Sequence, residues 1–471
     1  MSSAIVVGSG PNGLACAATL ASRGVEVTVI EAAAVIGGGT RSSELTVPGL
    51  LHDECSAFHP MAVSSPAVAS LGLELERHGL EWLWPEVDLA HPLDGGVGAA
   101  LLRSLEETAA GLGEGGPRWQ RVFGPSAKGY DALSEDIYRP LIHFPRHPLR
   151  LTRFGLASAL PASAIARSLR TPEAAALFGG IAAHSFARLD RPLSAAIGVA
   201  LVSAGHAYGW PVAKGGSIAL AEAWASVIRA NGGTIETGRR VRSLAELPDA
   251  DIVVLDLAPR GVLELAGERL PSRVARAYRR FKYGPAAFKV DLAVEGGVPW
   301  SYEPARRAGT VHLGGSFEEI AAAERENNRG RLPERPFVLV GQQYLADPSR
   351  SKGDLHPVWA YAHVPRGYSG DASETVIDQI ERFAPGLRER IVARSTRTPA
   401  EIEAANPNLV EGDIATGANG PVQLLLRPRI TPVPYSTGIP GVFICSAATP
   451  PGAGAHGING FNAAEAALRT L

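Results

Sequence analysis

Cysteine and methionine are scarce in this chain of 471 residues, which has three of the former and two of the latter. The cysteines are Cys16, Cys55 and Cys445, and no two of them have C-x-x-C spacing. Disulfide frameworks need an even set of cysteines that can pair, and dithiol redox sites need the close spacing. The sequence therefore argues against a disulfide-stapled domain and against a dithiol oxidoreductase.

An excess of charge and a long hydrophobic run are also missing. The formal net charge is −2, so no overall field draws the chain to nucleic acid, and we expect no nucleic-acid partner. The longest run of small and apolar residues, Leu193–Ala204, is too short to span a bilayer core of about 30 Å. The first motif begins at residue 4 and leaves no room for a signal peptide, so we expect a cytoplasmic location.

Residues with the spacing of metal ligands are absent as well. No cluster of histidine and cysteine has that spacing, so we predict no bound metal. No G-x-S-x-G serine elbow is present either. Only five of the 45 basic residues are lysines, and alanine, glycine and proline are abundant. We interpret this bias as that of a GC-rich bacterial coding sequence.

What is present begins with a short apolar strand, Ala4–Val7, that runs straight into a glycine-rich turn. The turn and the start of the next helix contain Gly8, Gly10, Pro11, Asn12 and Gly13. In such a motif the first glycine permits the tight turn, the second lets the backbone approach a pyrophosphate, and the third lets the helix pack on the strand. The helix N-terminus adds unpaired N–H groups that favour an anion. These residues predict a dinucleotide-binding domain.

A second strand, Val25–Ile30, ends at Glu31, which comes 18 residues after the last glycine of the turn. An acidic residue at about this distance accepts hydrogen bonds from a ribose. The strand is followed by a second glycine cluster that includes Gly38 and Gly39, and this cluster can wrap more backbone around the pyrophosphate. Arg41, directly after it, could pair with a phosphate.

The C-terminal end of the chain has its own strand, loop and helix. Residues Gly441–Cys445 form another apolar strand, Ser446 and Ala447 begin a loop, and a helix starts near Gly457 and Ile458. A nicotinamide-only domain has no need of this second piece. An isoalloxazine ring lies far from the pyrophosphate and needs backbone contacts of its own. A helix N-terminus at its pyrimidine edge would stabilise the negative charge of reduced flavin, so the two ends together predict FAD.

Five stretches carry a resemblance to a known family: Ile5–Ser42, His52–Pro60, Gly209–Ser217, Tyr283–Asp291 and Ser446–Ala464. They resemble the phytoene-desaturase-like FAD-dependent oxidoreductases of the amine oxidase superfamily. That group also includes the animal pyridine nucleotide-disulphide oxidoreductase domain-containing protein 2. The resemblance implies an α/β fold, with a Rossmann-like FAD-binding domain of the glutathione-reductase type and a discontinuous α+β substrate domain. It also implies that the backbone of Val241 meets the adenine.

The chain is longer than the roughly 250–300 residues at which a single core stops growing, so we expect two domains. We assign residues 1–90, 210–265 and 420–471 to the FAD-binding domain, and residues 91–209 and 266–419 to the substrate domain, with a helical segment at 138–208.

Two departures from the family pattern narrow the resemblance. Many members place an aspartate after the last strand, where this chain has Ser446. Phytoene desaturases usually insert a hairpin between the positions of Val241 and Asp251, and here the connection is short. The short connection favours the less characterised relatives over a carotenoid desaturase, and the missing aspartate gives some room to a flavin-binding protein without turnover. No other G-x-G-x-x-G directly follows an apolar strand as the first one does, so we expect no separate NAD(P)H domain, and electrons would leave for oxygen, a quinone or a diffusible carrier.

We expect hydride transfer from a small apolar or mixed-polarity substrate to flavin N5, which needs positioning more than a strong base. His456, where the C-terminal loop meets the helix, is our first candidate for a base, and His59 is the second. Tyr208 and Trp210 are candidates for the substrate wall. Residues 143–170 combine apolar and basic side chains, which is typical both of a helix that touches a membrane peripherally and of an ordinary lid helix.

Three alternatives stay open. An FAD amine oxidase would need aromatic side chains over the flavin, and only 6% of the residues are aromatic. A redox-neutral isomerase would use reduced flavin without consuming an oxidant. A flavin-binding protein with a structural role would keep the fold without turnover.

Overall fold

The computed structural model describes residues 2–471. They form two large β-sheets and two small sheets of two strands each, β3-β4 and β5-β8. The strands are β1 (Ser3–Val7), β2 (Glu26–Ile30), β3 (Ser42–Ser43), β4 (His52–Asp53), β5 (Trp82–Leu83), β6 (Val87–Pro92), β7 (Gly98–Leu101), β8 (Val212–Ala213), β9 (Thr234–Glu236), β10 (Ile252–Leu255), β11 (Ala286–Glu295), β12 (Ala308–Leu313), β13 (Val338–Gly341), β14 (Leu355–Val364), β15 (Ile391–Arg397) and β16 (Val442–Ile444).

The α-helices are α1 (Pro11–Ser22), α2 (Pro66–Ser70), α3 (Leu105–Gly111), α4 (Gly116–Ala127), α5 (Tyr130–Ile137), α6 (Pro148–Ser158), α7 (Ala162–Ser168), α8 (Pro172–Ala183), α9 (Ala196–Tyr208), α10 (Ile218–Ala230), α11 (Pro259–Ala266), α12 (Ser272–Arg279), α13 (Phe317–Asn327), α14 (Ser373–Phe383), α15 (Pro399–Ala405), α16 (Pro421–Leu425) and α17 (Ile458–Leu468). None of the helices within residues 2–471 is long and apolar enough to cross a membrane.

The first sheet has five parallel strands in the order β16-β10-β1-β2-β9. Its central strands are continuous runs of Val, Ile and Leu because helices cover both faces. Helices α1, α10 and α17 supply Leu14, Trp224 and Ala463 to the core on one face. Helices α11 and α12 supply Val262 and Val274 to the other. The architecture confirms the predicted Rossmann-like α/β fold.

The two ends of the chain meet where α17 packs on α1. This packing is close because glycine faces the neighbouring backbone. A Cβ atom at Gly460 would overlap the carbonyl oxygen of Asn12, and one at Gly457 would lie 2.7 Å from the Cβ of Ala15. Because the strands are parallel, the carboxyl ends of β1, β10 and β16 also share one edge of the sheet. The N-terminal and C-terminal motifs therefore lie at the same edge.

The second sheet is mixed and has seven strands in the order β15-β11-β14-β13-β12-β6-β7. Only the β6–β12 pair is parallel among the strand pairs described for it. Helices α4, α8 and α9 bury one face with Trp119, Phe178 and Val199. The predicted domain boundaries at 90 and 265 fall inside β6 and α11, respectively. The parallel-sheet unit also continues through α12, which packs against it.

Candidate functional site

The glycine-rich turn after β1 encloses the side chain of Asp256, which directly follows β10. Gly8 adopts a φ of +102°, which favours glycine. A Cβ atom would lie 2.5 Å from Asp256 Oδ2 if placed on Gly10 and 3.0 Å from it if placed on Gly13. The N–H of Gly13 donates to the same oxygen at 3.0 Å. Glycine is thus required here by a carboxyl group of the protein as well as by the expected pyrophosphate.

The pKa of Asp256 is raised to about 6, because burial and the nearby charge of Glu31 outweigh the hydrogen bonds from Gly13 and Gly10. Sequence reasoning did not select this residue. The available signal was an acidic side chain at the carboxyl end of an apolar parallel strand, which is where ligands bind in open α/β sheets.

Glu31 lies beside the same turn, at the end of β2. Its Oε2 accepts the N–H and the hydroxyl of Ser9 at 2.8 and 2.6 Å, and its Oε1 accepts the N–H of Ala33 at 2.7 Å. The passage that leads to Val241 runs alongside, since the N–H of Arg239 donates to the Glu31 carbonyl oxygen at 2.9 Å. Val241 is half-buried at the edge of the adjoining core. The structure therefore brings both predicted cofactor residues to one end of the glycine turn.

The second glycine cluster folds back onto the first. The N–H of Gly37 donates to the carbonyl oxygen of Ser9 at 2.9 Å. A Cβ atom on Gly38 would lie 3.1 Å from the Cα of Gly10. Arg41 donates to the carbonyl oxygens of Gly38 at 3.0 Å and of Ala405 at 2.8 Å. Arg41 thus holds this cluster in place, and its contact with a phosphate stays a prediction.

At the C-terminal half of the edge, Ser446 is buried and its carbonyl oxygen accepts the N–H of Thr449 at 2.9 Å. Asn459 Nδ2 donates to the carbonyl oxygen of Thr449 at 2.8 Å. The carbonyl oxygen of Ala447 accepts from the buried Arg427 at 3.3 Å. Gly457, with a φ of +70°, precedes Ile458 at the start of α17. The predicted loop-to-helix junction is thus held by its own hydrogen bonds.

His456 is buried at this junction. Its Nδ1 accepts the N–H of Ile458 at 3.2 Å, so the proton is assigned to Nε2, which has no protein partner among residues 2–471. Burial lowers the pKa of His456 to about 3. The ring centroid lies 5.5 Å from that of Tyr138. In this tautomer His456 is a neutral donor rather than a base.

His59 lies within a buried polar network. Its Nε2 is 2.9 Å from the hydroxyl of Ser217, and burial lowers its pKa to about 4. The N–H of Ser217 donates to Asp53 Oδ1 at 2.7 Å, and Asp53 is paired with Arg350. His59 is therefore connected to the contact between the two sheets. Its ring faces Trp82, with 5.6 Å between the centroids.

The two candidate wall residues lie in different surroundings. Tyr208 packs edge-on against Tyr130, with ring centroids 6.0 Å apart, and the hydroxyls of Tyr130 and Tyr138 are 2.8 Å apart. Since Tyr138 also faces His456, a continuous aromatic path joins Tyr208 to the C-terminal loop. Trp210 is buried instead, and its ring centroid lies 5.7 Å from that of His184.

A buried lysine was also missed by sequence reasoning. Lys289 on β11 is 3% exposed and forms an ion pair with Asp291. Its charge lowers the pKa of the Cys55 thiol, although burial dominates and raises that pKa to about 11. Cys55 follows β4, and its Cβ lies 4.0 Å from the position of a Cβ on Gly39. Lys289 is therefore within electrostatic reach of the second glycine cluster. The signal was two charges at alternate positions of an otherwise apolar strand.

A small group of aromatic residues packs beside this lysine. Lys289 Nζ lies 5.9 Å from the ring centroid of Trp359 on β14. Trp359 and Tyr361 pack edge-on at 5.1 Å, and Phe186 stacks on Tyr361 at 6.2 Å. Aromatic side chains therefore meet beside Lys289 despite the low overall content, and an aromatic enclosure of the flavin stays a prediction.

Comparison with known proteins gives matches that span the chain. A family model described as an NAD(P)-binding Rossmann-like domain matches residues 6–71. Pyridine nucleotide-disulfide oxidoreductase domain-containing protein 2 of Mus musculus is 24% identical, over 99% of this chain and 93% of the relative. The protein of the same name from Rattus norvegicus is also 24% identical, with the same coverage.

Three solved structures show the same fold. An oxidoreductase from Methanosarcina mazei has a TM-score of 0.62 at 16% identity, over 99% of this chain and 100% of its own. Putrescine oxidase bound to putrescine has a TM-score of 0.61 at 17% identity, over 99% and 98%. Cyclohexylamine oxidase from Brevibacterium oxydans has a TM-score of 0.55 at 16% identity, over 100% and 98%. The solved structures show the shared fold, and the Rossmann motif and the whole-length relatives support an FAD-dependent oxidoreductase family.

Proposed function

We propose that the protein binds FAD along the carboxyl edge of the parallel sheet and dehydrogenates a small molecule of apolar or mixed polarity. The observation that carries the proposal is the convergence of three elements on one edge: two interlocked glycine clusters and the N-terminus of α17. A bound FAD would supply the hydride acceptor at flavin N5.

The residues present fit that cofactor in several respects. The first turn has glycine where a Cβ atom would meet Asp256 or the backbone, so the turn stays tight and its main chain can approach a pyrophosphate. The N-termini of α1 and α17 would direct the positive ends of their helix dipoles at the pyrophosphate and at the flavin pyrimidine edge, while the N–H groups of Gly13 and Ile458 already donate to Asp256 and His456. Glu31, at the end of β2, would accept hydrogen bonds from the ribose. In this assignment Lys289 supplies positive charge near the ring, and His456 supplies an N–H donor at the C-terminal loop.

The first experiment is the visible absorption spectrum of the purified protein, followed by release of the chromophore with denaturant. We expect a flavin band and FAD at about one per chain, as a single site at one sheet edge implies. A colourless protein that takes up no added FAD but binds NAD(P) would contradict the proposal. If FAD is found, anaerobic bleaching of the flavin with a substrate panel identifies the reductant. Reoxidation with oxygen, quinones and soluble carriers then identifies the electron acceptor.

An amine oxidase is the second candidate function. It is favoured by the aromatic cluster of Trp359, Tyr361 and Phe186 around a buried cation, and by the names of two of the structural neighbours. Aliphatic and cyclic amines in the panel test it directly. Bleaching by an amine with release of peroxide in air would favour this candidate, whereas bleaching only by non-amine substrates would exclude it.

We also propose peripheral membrane contact through residues 143–170. Phe144, Leu149 and Leu156 are 96, 80 and 68% exposed, and Arg150 and Arg153 are exposed beside them. Apolar side chains flanked by arginine suit an anionic lipid surface. Flotation with phosphatidylcholine vesicles, with and without phosphatidylglycerol, tests this.

The double substitution Phe144→Asp and Leu149→Asp should abolish flotation. Val392→Asp, at a similarly exposed site on β15, should leave it unchanged. Equal flotation of the wild type and the double variant would reject the contact.

A further inference from the structure

Asp256 lies beside the glycine turn at which the proposed cofactor would bind. It follows β10, the strand that lies between β1 and β16, and its N–H donates to the carbonyl oxygen of Val7 at 2.8 Å. Its carboxyl group accepts the N–H of Gly13 at the start of α1. A pyrophosphate bound to the glycine turn would therefore lie next to this carboxyl group.

The carboxyl group has no cationic partner. Among residues 2–471, no lysine, arginine or histidine forms an ion pair with Asp256. The groups that face it are Glu31 from the β2 side, the thiol of Cys445 after β16, and the N–H groups of Gly10 and Gly13. An ionised Asp256 would thus add negative charge to a site that already holds Glu31 and must accept a pyrophosphate.

Uncompensated negative charge at an anion site is unfavourable, and removing it by protonation is the simplest remedy. Asp256 as a residue is 5% exposed, so water screens the charge of its carboxyl group poorly. A neutral carboxyl can still accept the N–H of Gly13 through one oxygen, and it gains an O–H donor. Only the neutral form is therefore complementary to a phosphate oxygen.

We propose that Asp256 is a proton-linked positioning residue, which binds the FAD pyrophosphate in its neutral form, so that cofactor binding takes up a proton. This inference rests on the proposed function, because it presupposes FAD at the glycine turn. It deepens that function by making retention of the cofactor depend on pH.

The sign of the effect follows from linkage. The pKa of Asp256 in the protein without cofactor is about 6, and the added negative charge of the cofactor would raise it further. Below pH of about 6 the carboxyl is already neutral and the affinity for FAD is at its highest. Above it, binding must take up one proton, so Kd rises by up to about tenfold per pH unit.

The experiment titrates the apoprotein with FAD between about pH 5.5 and 8.5, following the quenching of flavin fluorescence. We expect Kd to rise by about 10- to 50-fold between pH 6 and pH 8. Asp256→Asn keeps an acceptor for Gly13 and adds an N–H donor without a charge, so it should bind FAD with a nearly flat pH dependence. Asp88→Asn is the matched control, because burial also raises the pKa of Asp88 to about 6 but it lies on β6 of the other sheet.

Calorimetry of the wild type in two buffers with different ionisation enthalpies counts the protons directly and needs no variant. Uptake of about one proton at pH 7.5 is expected. A flat Kd in the wild type, an unchanged slope in Asp256→Asn, or no proton uptake would overturn the inference and leave FAD binding intact. A failure to bind FAD at any pH would refute the proposed function instead.

Discussion

Arg350 and Asp53 form an ion pair, with 2.6 Å between Nη1 and Oδ2, and neither side chain has any exposed surface. Arg350 comes from the connection after β13 of the mixed sheet. Asp53 accepts the N–H of Ser217, at the start of α10 on the parallel sheet. Burial alone would raise the pKa of Asp53, but the charge of Arg350 and the hydrogen bonds from Ser217 and Ser42 hold it below its ordinary value. The ion pair therefore connects the mixed sheet to α10 of the parallel sheet.

Breaking this pair should destabilise the protein strongly. Arg350→Met leaves the Asp53 carboxylate buried and unpaired, which costs about 3–5 kcal/mol. Urea unfolding at pH 7 measures the loss. The control is Arg388→Ala at the exposed pair with Glu374, where we expect less than about 1 kcal/mol. Equal losses for the two variants would show that Asp53 and Arg350 do not depend on each other.

Two glycine-to-alanine substitutions in helices should act in opposite directions. A Cβ atom at Gly460 would overlap the backbone of α1, so Gly460→Ala should lower stability by about 1–3 kcal/mol and reduce the FAD content. A Cβ atom added to Gly155 in α6 would have no neighbour within 4 Å, so Gly155→Ala should raise stability by about 0.5–1 kcal/mol. Thermal unfolding and flavin absorbance of both variants provide the measurement. A Gly460→Ala protein with normal stability would mean that α1 and α17 are not in close contact.

Stability should fall as the pH is lowered below about 6.5. Burial holds the pKa of six histidines below the ordinary value in the folded protein: His59, His91, His184, His206, His312 and His456. At pH 5 the unfolded chain binds protons at these sites and the folded chain does not, so each site lowers the free energy of unfolding by up to about 1.4 kcal/mol per pH unit. Urea unfolding at several pH values measures the slope.

His206→Gln supplies the internal check for this pH dependence. The pKa of His206 is lowered to about 4 by burial, and its Nε2 accepts from the indole of Trp119 at 2.9 Å. Glutamine can still accept this bond, so the variant should fold and lose about one proton from the slope. An unchanged slope would mean that His206 does not titrate on unfolding.

Removal of the positive charge of Lys289 should make a bound flavin harder to reduce, because negative charge develops on the ring. Lys289→Met should lower the reduction potential by about 30 mV, which corresponds to a tenfold change for a two-electron couple. Lys282→Met, at an exposed lysine, should leave the potential unchanged. Identical potentials for the two variants would place Lys289 outside the reach of the ring.

The parallel sheet and the meeting of the two chain ends could be predicted from sequence because each depends on local patterns. The apolar runs at 4–7 and 441–445 and the glycine turn identify β1, β16 and α1 without any knowledge of their neighbours. Asp256 and Lys289 could not be found in this way. Their roles depend on strand order, which places β10 beside β1 and β14 beside β11, and no local spacing encodes that order.

The aromatic cluster of Trp359, Tyr361 and Phe186 could not be predicted for a second reason. Composition is an average over the whole chain, whereas Trp359 and Tyr361 lie on one strand and Phe186 arrives from the turn after α8. A low mean content of aromatic residues therefore says little about how many of them meet at one place in the fold.

The order β16-β10-β1 has a consequence for how the protein is made. During translation β1 and α1 leave the ribosome first, yet their partners β10, β16 and α17 are synthesised roughly 250 to 460 residues later. Contacts of such long sequence separation form slowly. The glycine turn of a nascent chain therefore lacks β16 and α17 until synthesis is nearly finished. Capture of the cofactor would then be one of the last events in maturation, and the intermediate that waits for it would be the form most exposed to proteases and chaperones.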